Sequence, residues 1–308
     1  MSIALLVTDR DLTVLAQGLK QALPGVNIQC WPDISQPEEV EFAVAWQQPK
    51  NCWAKLPGLK VISSLGAGCD ALFSDPDLPS NVQITRIVDP GLSGQMAEYV
   101  LASILMLKCR FVAYFKQQQQ ANWQVLPKEN RRQKVTILGV GSIGEVVAKR
   151  LMDNGFEVSG WRRSQKAHPD YRVYYGQDQL EQAVADADYV VSILPNTPAT
   201  QGLIDKGFFE KLKSGCFLIN VGRGQAVNDS DLIDALDKQV IAGAVLDVFN
   251  HEPLPEDHAF WRHESVILTP HISAITDQQE VIAQIAGNYK KFQQGQLLDN
   301  LVDIDKGY

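Results

Sequence analysis

Between Lys134 and Gly155 the chain carries a pattern that few folds accommodate. Val135 to Leu138 is a short β-branched and aliphatic run, which predicts a buried strand. Gly139, Gly141 and Gly144 follow in the spacing G-x-G-x-x-G. Val146, Val147, Leu151 and Met152 then form an apolar helical face that stops at Gly155, and a second strand runs from Glu157 to Trp161. A lone G-x-G-x-x-G says little, and the bland reading is a strand-to-helix turn with convenient glycines. Strand, glycines, helix, stop and second strand in order make a βαβ unit. In such a unit Gly139 permits the tight turn, Gly141 lets backbone approach a pyrophosphate, and Gly144 lets the helix lie close to the strand. Free N–H groups at the helix start, on Ser142, Ile143 and Gly144, with the helix dipole behind them, would hold the phosphates.

At 308 residues there is room for two domains of ordinary size. A net charge of −8 without a Lys/Arg cluster argues against a nucleic-acid surface. The start, Met1 to Val7, lacks a basic leader and runs into a strand pattern, so no signal peptide is expected. No run is long enough for a membrane helix. Five scattered cysteines (30, 52, 69, 109, 216) without metal spacing suit buried thiols in a reducing cytoplasm, and no metal site is expected.

Upstream, residues 3–7, 26–31, 41–46, 59–65 and 82–88 read as strands, with a helix over 11–22. Alternating strand and helix implies a parallel sheet covered on both faces. From Ser93 to about Gln119 the spacing of Met96, Tyr99, Val100, Ser103, Ile104, Leu107 and Phe111 predicts one long helix: a domain spine, a subunit contact or, equally, a core helix within one domain. Downstream, strands over 188–194, 215–221, 241–249 and 265–271 each end in polar residues, and Asp277 to Gln293 reads as a helix. In a doubly wound sheet the strand carboxyl ends face the ligand, so those endings are where chemistry is sought.

Leu194-Pro195-Asn196-Thr197-Pro198, Asn220-Val221-Gly222-Arg223-Gly224, Leu246-Asp247-Val248-Phe249 with Glu252-Pro253-Leu254, and Thr269-Pro270-His271 together resemble the D-2-hydroxyacid dehydrogenase family. Ser64 to Asp70 looks like that family's substrate loop. Trp46, Glu98-Tyr99, Asp247 to Asn250 and the ending Lys306-Gly307-Tyr308 are most similar to its branch that reduces glyoxylate and hydroxypyruvate. The resemblance implies two doubly wound α/β domains, a Rossmann-type cofactor domain (99–276) inserted into a flavodoxin-like substrate domain (1–98 and 277–308), with the active site in the cleft. It also implies a homodimer, a small 2-keto acid or 2-hydroxy acid as substrate, and hydride transfer from a nicotinamide. Leu194, Pro195, Asn196, Val221, Gly222, Ser273 and Ala274 would line the cofactor, and Asp247 would meet its carboxamide.

Hydride arrival puts negative charge on the carbonyl oxygen, so a proton donor and a cation should meet it. His271 is the expected general acid. Glu252 would orient its ring and favour the imidazolium, and Arg223 would fork onto the substrate carboxylate or carbonyl. Glycines either side of Arg223 suggest close backbone approach to a ligand. Leu65, Gly66, Ala67 and Gly68 could bind the substrate carboxylate through a nest-like turn, with Trp46 as pocket aromatic. His168, His258 and His263 read as surface or structural residues. An acidic residue about twenty positions after the glycines would take the ribose hydroxyls of NAD. Trp161-Arg162-Arg163-Ser164 stands there instead, two guanidiniums with no carboxylate, so NADP(H) is expected over a still possible NAD(H). The rival readings are an NAD-linked D-lactate-type or D-phosphoglycerate-type dehydrogenase, and a non-catalytic dinucleotide-sensing protein. Each would keep the glycine fingerprint.

Overall fold

The computed structural model describes residues 2–127, 133–165 and 167–302. The first stretch runs β1 (Ser2–Val7), α1 (Thr13–Ala22), β2 (Asn27–Cys30), β3 (Val40–Trp46), β4 (Val61–Ser64), α2 (Asp70–Phe73) and β5 (Gln83–Thr85). Then come α3 (Pro90–Lys108), α4 (Phe111–Gln119), β6 (Lys134–Leu138), α5 (Ser142–Asp153), β7 (Glu157–Arg162) and β8 (Arg172–Tyr175). The remainder is α6 (Leu180–Val184), β9 (Tyr189–Ser192), α7 (Lys206–Phe209), β10 (Phe217–Asn220), α8 (Asp229–Asp237), β11 (Gly243–Leu246), β12 (Val266–Leu268) and α9 (Gln278–Gln293). The chain divides into two compact units, Met1–Gly91 with Thr276–Tyr308, and Leu92–Ile275.

In the first unit five parallel strands lie in the order β2-β1-β3-β4-β5. Alternate residues of β1 feed opposite faces. Ile3 and Leu5 pack with Leu15 and Leu19 of α1 and Val281, Ile285 and Tyr289 of α9. Ala4 and Leu6 pack with Trp53, Leu56 and Leu72. Burial on both faces is why these strands are apolar without alternation. Asp277 starts α9 as predicted, its side chain accepting from the N–H groups of Gln279 and Glu280.

In the second unit seven parallel strands lie in the order β12-β11-β10-β9-β6-β7-β8. The same two-faced logic holds: Leu218 joins the core of Phe208, Leu232 and Leu236, while Ile219 joins that of Val100, Ile104, Val147 and Leu151. Strand order reverses between β6 and β9, the place where open α/β sheets bind ligands. Both units are doubly wound α/β sheets, as expected.

Two expectations are corrected, and one strand is added. The long helix from Ser93 is two helices, broken at Arg110, which takes a left-handed φ of 60°. Periodicity ran through the break because Phe111 stays in phase. It faces solvent, though, stacked on Phe115, and α4 buries nothing. The strand β8 went unread, its Arg172-Val173-Tyr174-Tyr175 being partly exposed at the sheet edge. Cys109 is exposed beside the helix break, while Cys52, Cys69 and Cys216 are buried. The ending Lys306-Gly307-Tyr308 lies outside the described residues.

Candidate active site

The glycine turn behaves as its spacing predicts, with one separation of roles. Gly139 has φ +99°, and a Cβ there would meet the Ile193 carbonyl oxygen at 2.8 Å. A Cβ on Gly144 would lie 2.5 Å from the Gly139 oxygen, so α5 sits directly on the turn. Around Gly141, at the start of α5, nothing lies within 4 Å. That open space, with the N–H groups of Ser142, Ile143 and Gly144 unpaired by the helix itself, is the room a pyrophosphate needs. Gly141→Ala should therefore leave Tm unchanged and weaken dinucleotide binding at least tenfold by fluorescence titration. Unchanged affinity would show that no phosphate comes near this residue.

At the end of β7, Arg162 is half-buried, and Arg163 and Ser164 are exposed. The Arg162 Nε and the Tyr171 hydroxyl are both buried without a hydrogen-bond partner among the described residues. Burial, then the charge of Glu145, pushes the Tyr171 phenol up to about 12, so it remains a donor. Two buried donors without an acceptor suit a missing anionic group. No carboxylate stands in the stretch Trp161 to Ser164 itself; the fold brings Glu145 of α5 near Tyr171. These residues fit a dinucleotide.

Arg223, Glu252 and His271 come from the loops after β10, β11 and β12. His271 Nδ1 lies 2.7 Å from Glu252 Oε2, and Glu252 Oε1 accepts the Phe249 N–H at 2.9 Å. Burial raises the Glu252 carboxyl, but hydrogen bonds from His271 and Phe249 and the charges of His271 and Arg223 outweigh it. The net position is below the ordinary glutamate value. An ionised carboxylate only accepts, so Nδ1 carries the proton of that bond and Nε2 is the nitrogen left for chemistry. Arg223 is braced by Asn220, whose side chain donates to its carbonyl at 3.0 Å.

Asp247, expected at the nicotinamide carboxamide, anchors a loop of the site. It is fully buried, and its carboxylate accepts from Thr269 Oγ1 (2.5 Å), Ile272 N (2.9 Å) and Ser273 N (2.8 Å). It fastens the loop that presents His271, at φ 56°. Tyr99 extends the chain, its hydroxyl 2.5 Å from Thr269 Oγ1. Neither residue's task was readable, because these partners lie 22 and 170 positions away.

Other expected cofactor residues divide by burial. Leu194, Val221 and Ser273 are within 4% of full burial, the first two in the cores, so their side chains are framework. Ala274 packs against the same core as Val221. The Pro195 carbonyl accepts from Thr200, and Asn196 accepts from Gln201. Gly222 and Gly224 approach protein rather than ligand: a Cβ would come 2.6 Å from Leu194 backbone and 2.0 Å from Phe249 backbone respectively. His258 and His263 accept backbone N–H groups and face Asp229 and Asp237, as structural residues do.

In the first unit, Trp46 ends β3 with its ring over Gly66, where a Cβ would come within 2.7 Å. No residue from Leu65 to Gly68 has positive φ, so the loop is not the nest expected. The requirement for Gly66 is room for the indole.

A parallel sheet with an open glycine turn, plus an imidazole–carboxylate pair beside an arginine, defines a nicotinamide-dinucleotide oxidoreductase. The family model for the D-isomer specific 2-hydroxyacid dehydrogenase NAD-binding domain matches residues 101–273. The chain is 37% identical over 304 residues to the glyoxylate/hydroxypyruvate reductase A of Photorhabdus laumondii, covering 97% of each. It is similar to a D-isomer specific 2-hydroxyacid dehydrogenase from Xanthobacter autotrophicus solved with NADPH and MES (33% identity, TM-score 0.92, 100% and 99% covered). It is also similar to an NADPH-dependent glyoxylate/hydroxypyruvate reductase from Sinorhizobium meliloti solved with NADP and sulfate (29%, 0.90, 100% and 99%). The protein belongs to the D-isomer specific 2-hydroxyacid dehydrogenase family and is an NAD(P)-dependent oxidoreductase. No described helix is long and apolar enough to cross a membrane.

Proposed function

We propose that the protein is an NADPH-preferring reductase of small 2-keto acids, converting glyoxylate to glycolate and hydroxypyruvate to D-glycerate. The observation that carries this reading is the 2.7 Å pair of His271 Nδ1 and Glu252 Oε2, with the charge of Arg223 felt at the same carboxylate. The substrate class draws support from relatives named glyoxylate/hydroxypyruvate reductase A, and the cofactor from a neighbour solved with NADP.

A bound nicotinamide supplies the hydride. The chain's own part is proton and charge management. Glu252 fixes the imidazole in one orientation, so that Nε2 delivers the proton to the substrate's carbonyl oxygen. The Arg223 guanidinium stabilises the charge that grows on that oxygen or its neighbouring carboxylate. Asp247 and Tyr99 act at one remove, by holding the loop from Thr269 to Ser273.

The decisive experiment is a panel of glyoxylate, hydroxypyruvate and pyruvate with NADPH and NADH, followed by absorbance. Consumption of NADPH with the first two is expected, and a flat trace with all three would overturn the reading. For the cofactor, Arg162→Gln with Arg163→Gln should lower the ratio of kcat/KM with NADPH to that with NADH by about tenfold or more, the scale of one charged hydrogen bond. A ratio that stays put would remove the phosphate assignment.

A further inference from the structure

One carboxylate outside the site faces both ends of the loop that carries Glu252. After β11 this loop runs from Asn250 through Glu252 to His258. The Glu252 side chain takes the Phe249 N–H at 2.9 Å and the His271 ring at 2.7 Å, so the seat of the loop decides where the imidazole points. At the near end, the Asn250 side chain donates to Asp229 Oδ1 at 2.8 Å and to Val227 O at 3.3 Å. At the far end, His258 Nδ1 accepts the Phe260 N–H at 3.3 Å, so Nε2 carries the ring proton. That nitrogen lies 3.4 Å from Asp229 Oδ2. The two oxygens of one side chain thus meet donors from the two ends of the loop.

The helix does not need Asp229 for itself. Asp229 opens α8, but Asn228 caps it, accepting the Asp231 N–H at 3.1 Å and the Ser230 hydroxyl at 2.7 Å. Asp231 is occupied by the Lys206 N–H at 3.0 Å. Asp229 is half-buried, and its side-chain partners among the described residues are Asn250 and His258. The same lacing reaches the arginine. Gln225, two residues after Arg223, donates to Asn250 O at 3.2 Å, and Val227 O is the second acceptor of the Asn250 amide. A bond to a charged acceptor is roughly twice as strong as a neutral one, so the carboxylate is the strongest knot in this lacing. Resting on the reductase reading, we infer that Asp229 is a positioning residue of the reaction: through Asn250 and His258 it sets the Glu252 carboxylate, and with it the His271 ring that delivers the proton.

The test uses the full chain and two independent readouts. Asp229→Asn has one acceptor for two donors and turns an N–H toward the other, which releases one end of the loop. Without cofactor, amide exchange over residues 249–258, followed by mass spectrometry, should quicken about tenfold, the scale of one hydrogen bond to a charged group. In turnover, kcat for glyoxylate with NADPH should fall about tenfold to a hundredfold, the scale of a misplaced catalytic group. NADPH affinity should hold. The solvent deuterium isotope effect on kcat should rise, because a misdirected imidazole slows proton delivery relative to the other steps. A role in stability alone would lower the active fraction and leave the isotope effect where it was. Asp229→Glu keeps both acceptors and should lie nearer wild type, while Asp231→Asn, the same loss of charge on the same helix turn, should match wild type in kcat. Asn250→Ser cuts the near end from the other side, which keeps the test open where Asp229→Asn folds poorly. It should reproduce the Asp229→Asn behaviour and add little to it in the double variant. An unchanged exchange rate, or an unchanged isotope effect, overturns the assignment. Failure of the wild type to reduce glyoxylate overturns the reductase reading instead, and the exchange measurement keeps the two failures apart.

Discussion

Replacing His271 by alanine should lower kcat for glyoxylate reduction by about 10²–10⁴-fold, the usual share of a positioned general acid. NADPH affinity, measured by fluorescence, should stay within about twofold of wild type, since a group that acts in the transition state alone adds little to cofactor binding. The side chain is 43% exposed and packs in no core, so the fold does not need it. Its backbone, however, sits at φ 56°, where alanine is strained. Asparagine tolerates that region better and so serves as the second variant: His271→Asn should match the alanine form in kcat and exceed it in Tm. Glu252→Gln separates orientation from proton transfer. One amide oxygen cannot serve both Phe249 N and His271 Nδ1, and an NH₂ turned to Nδ1 would force the ring into the opposite tautomer. Activity in His271→Ala within a few fold of wild type would strip the residue of its proposed role.

The sheets were legible because strands buried on both faces must be apolar throughout, and such runs, from 3–7 to 241–249, can be located without knowing their neighbours. The glycine turn was legible for a related reason: the backbone demands at Gly139 and Gly144 are local. What could not be read is whatever depends on a partner far along the chain. Glu252 and His271 stand 19 positions apart and meet only because β11 and β12 are adjacent in the sheet. Asp247 reads in the sequence as a ligand contact or a turn carboxylate with equal reason, and its three donors from the 269–273 loop are visible only in the fold. The helix break at Arg110 has no glycine or proline to mark it.

The glycines around Arg223 are required by close approach of protein backbone, and they support the largest stability effect expected in this protein. Gly222 lies against the backbone of Ile193 and Leu194, and Gly224 against that of Phe249 and Asn250. Arg223 is therefore positioned by two neighbours clamped to different loops, one after β9 and one after β11. A Cβ on Gly224 would sit 2.0 Å from the Phe249 carbonyl carbon and 2.5 Å from the Asn250 nitrogen. Main chain cannot rotate aside as a side chain end can, so Gly224→Ala must push apart two loops that Asn250 also ties together through Val227 O and Asp229. Overpacking of side chains typically costs about 1–3 kcal/mol, and a backbone clash belongs at or beyond the top of that range. For a unit of this size about 3 kcal/mol corresponds to a fall in Tm of roughly 6–12 °C. If the loops yield instead, Arg223 moves relative to Glu252, and kcat/KM falls even where Tm recovers. Thermal unfolding and steady-state kinetics on the one variant therefore bracket the prediction. A Gly224→Ala protein with wild-type Tm and wild-type kcat/KM would mean that this close approach does not hold the arginine in place.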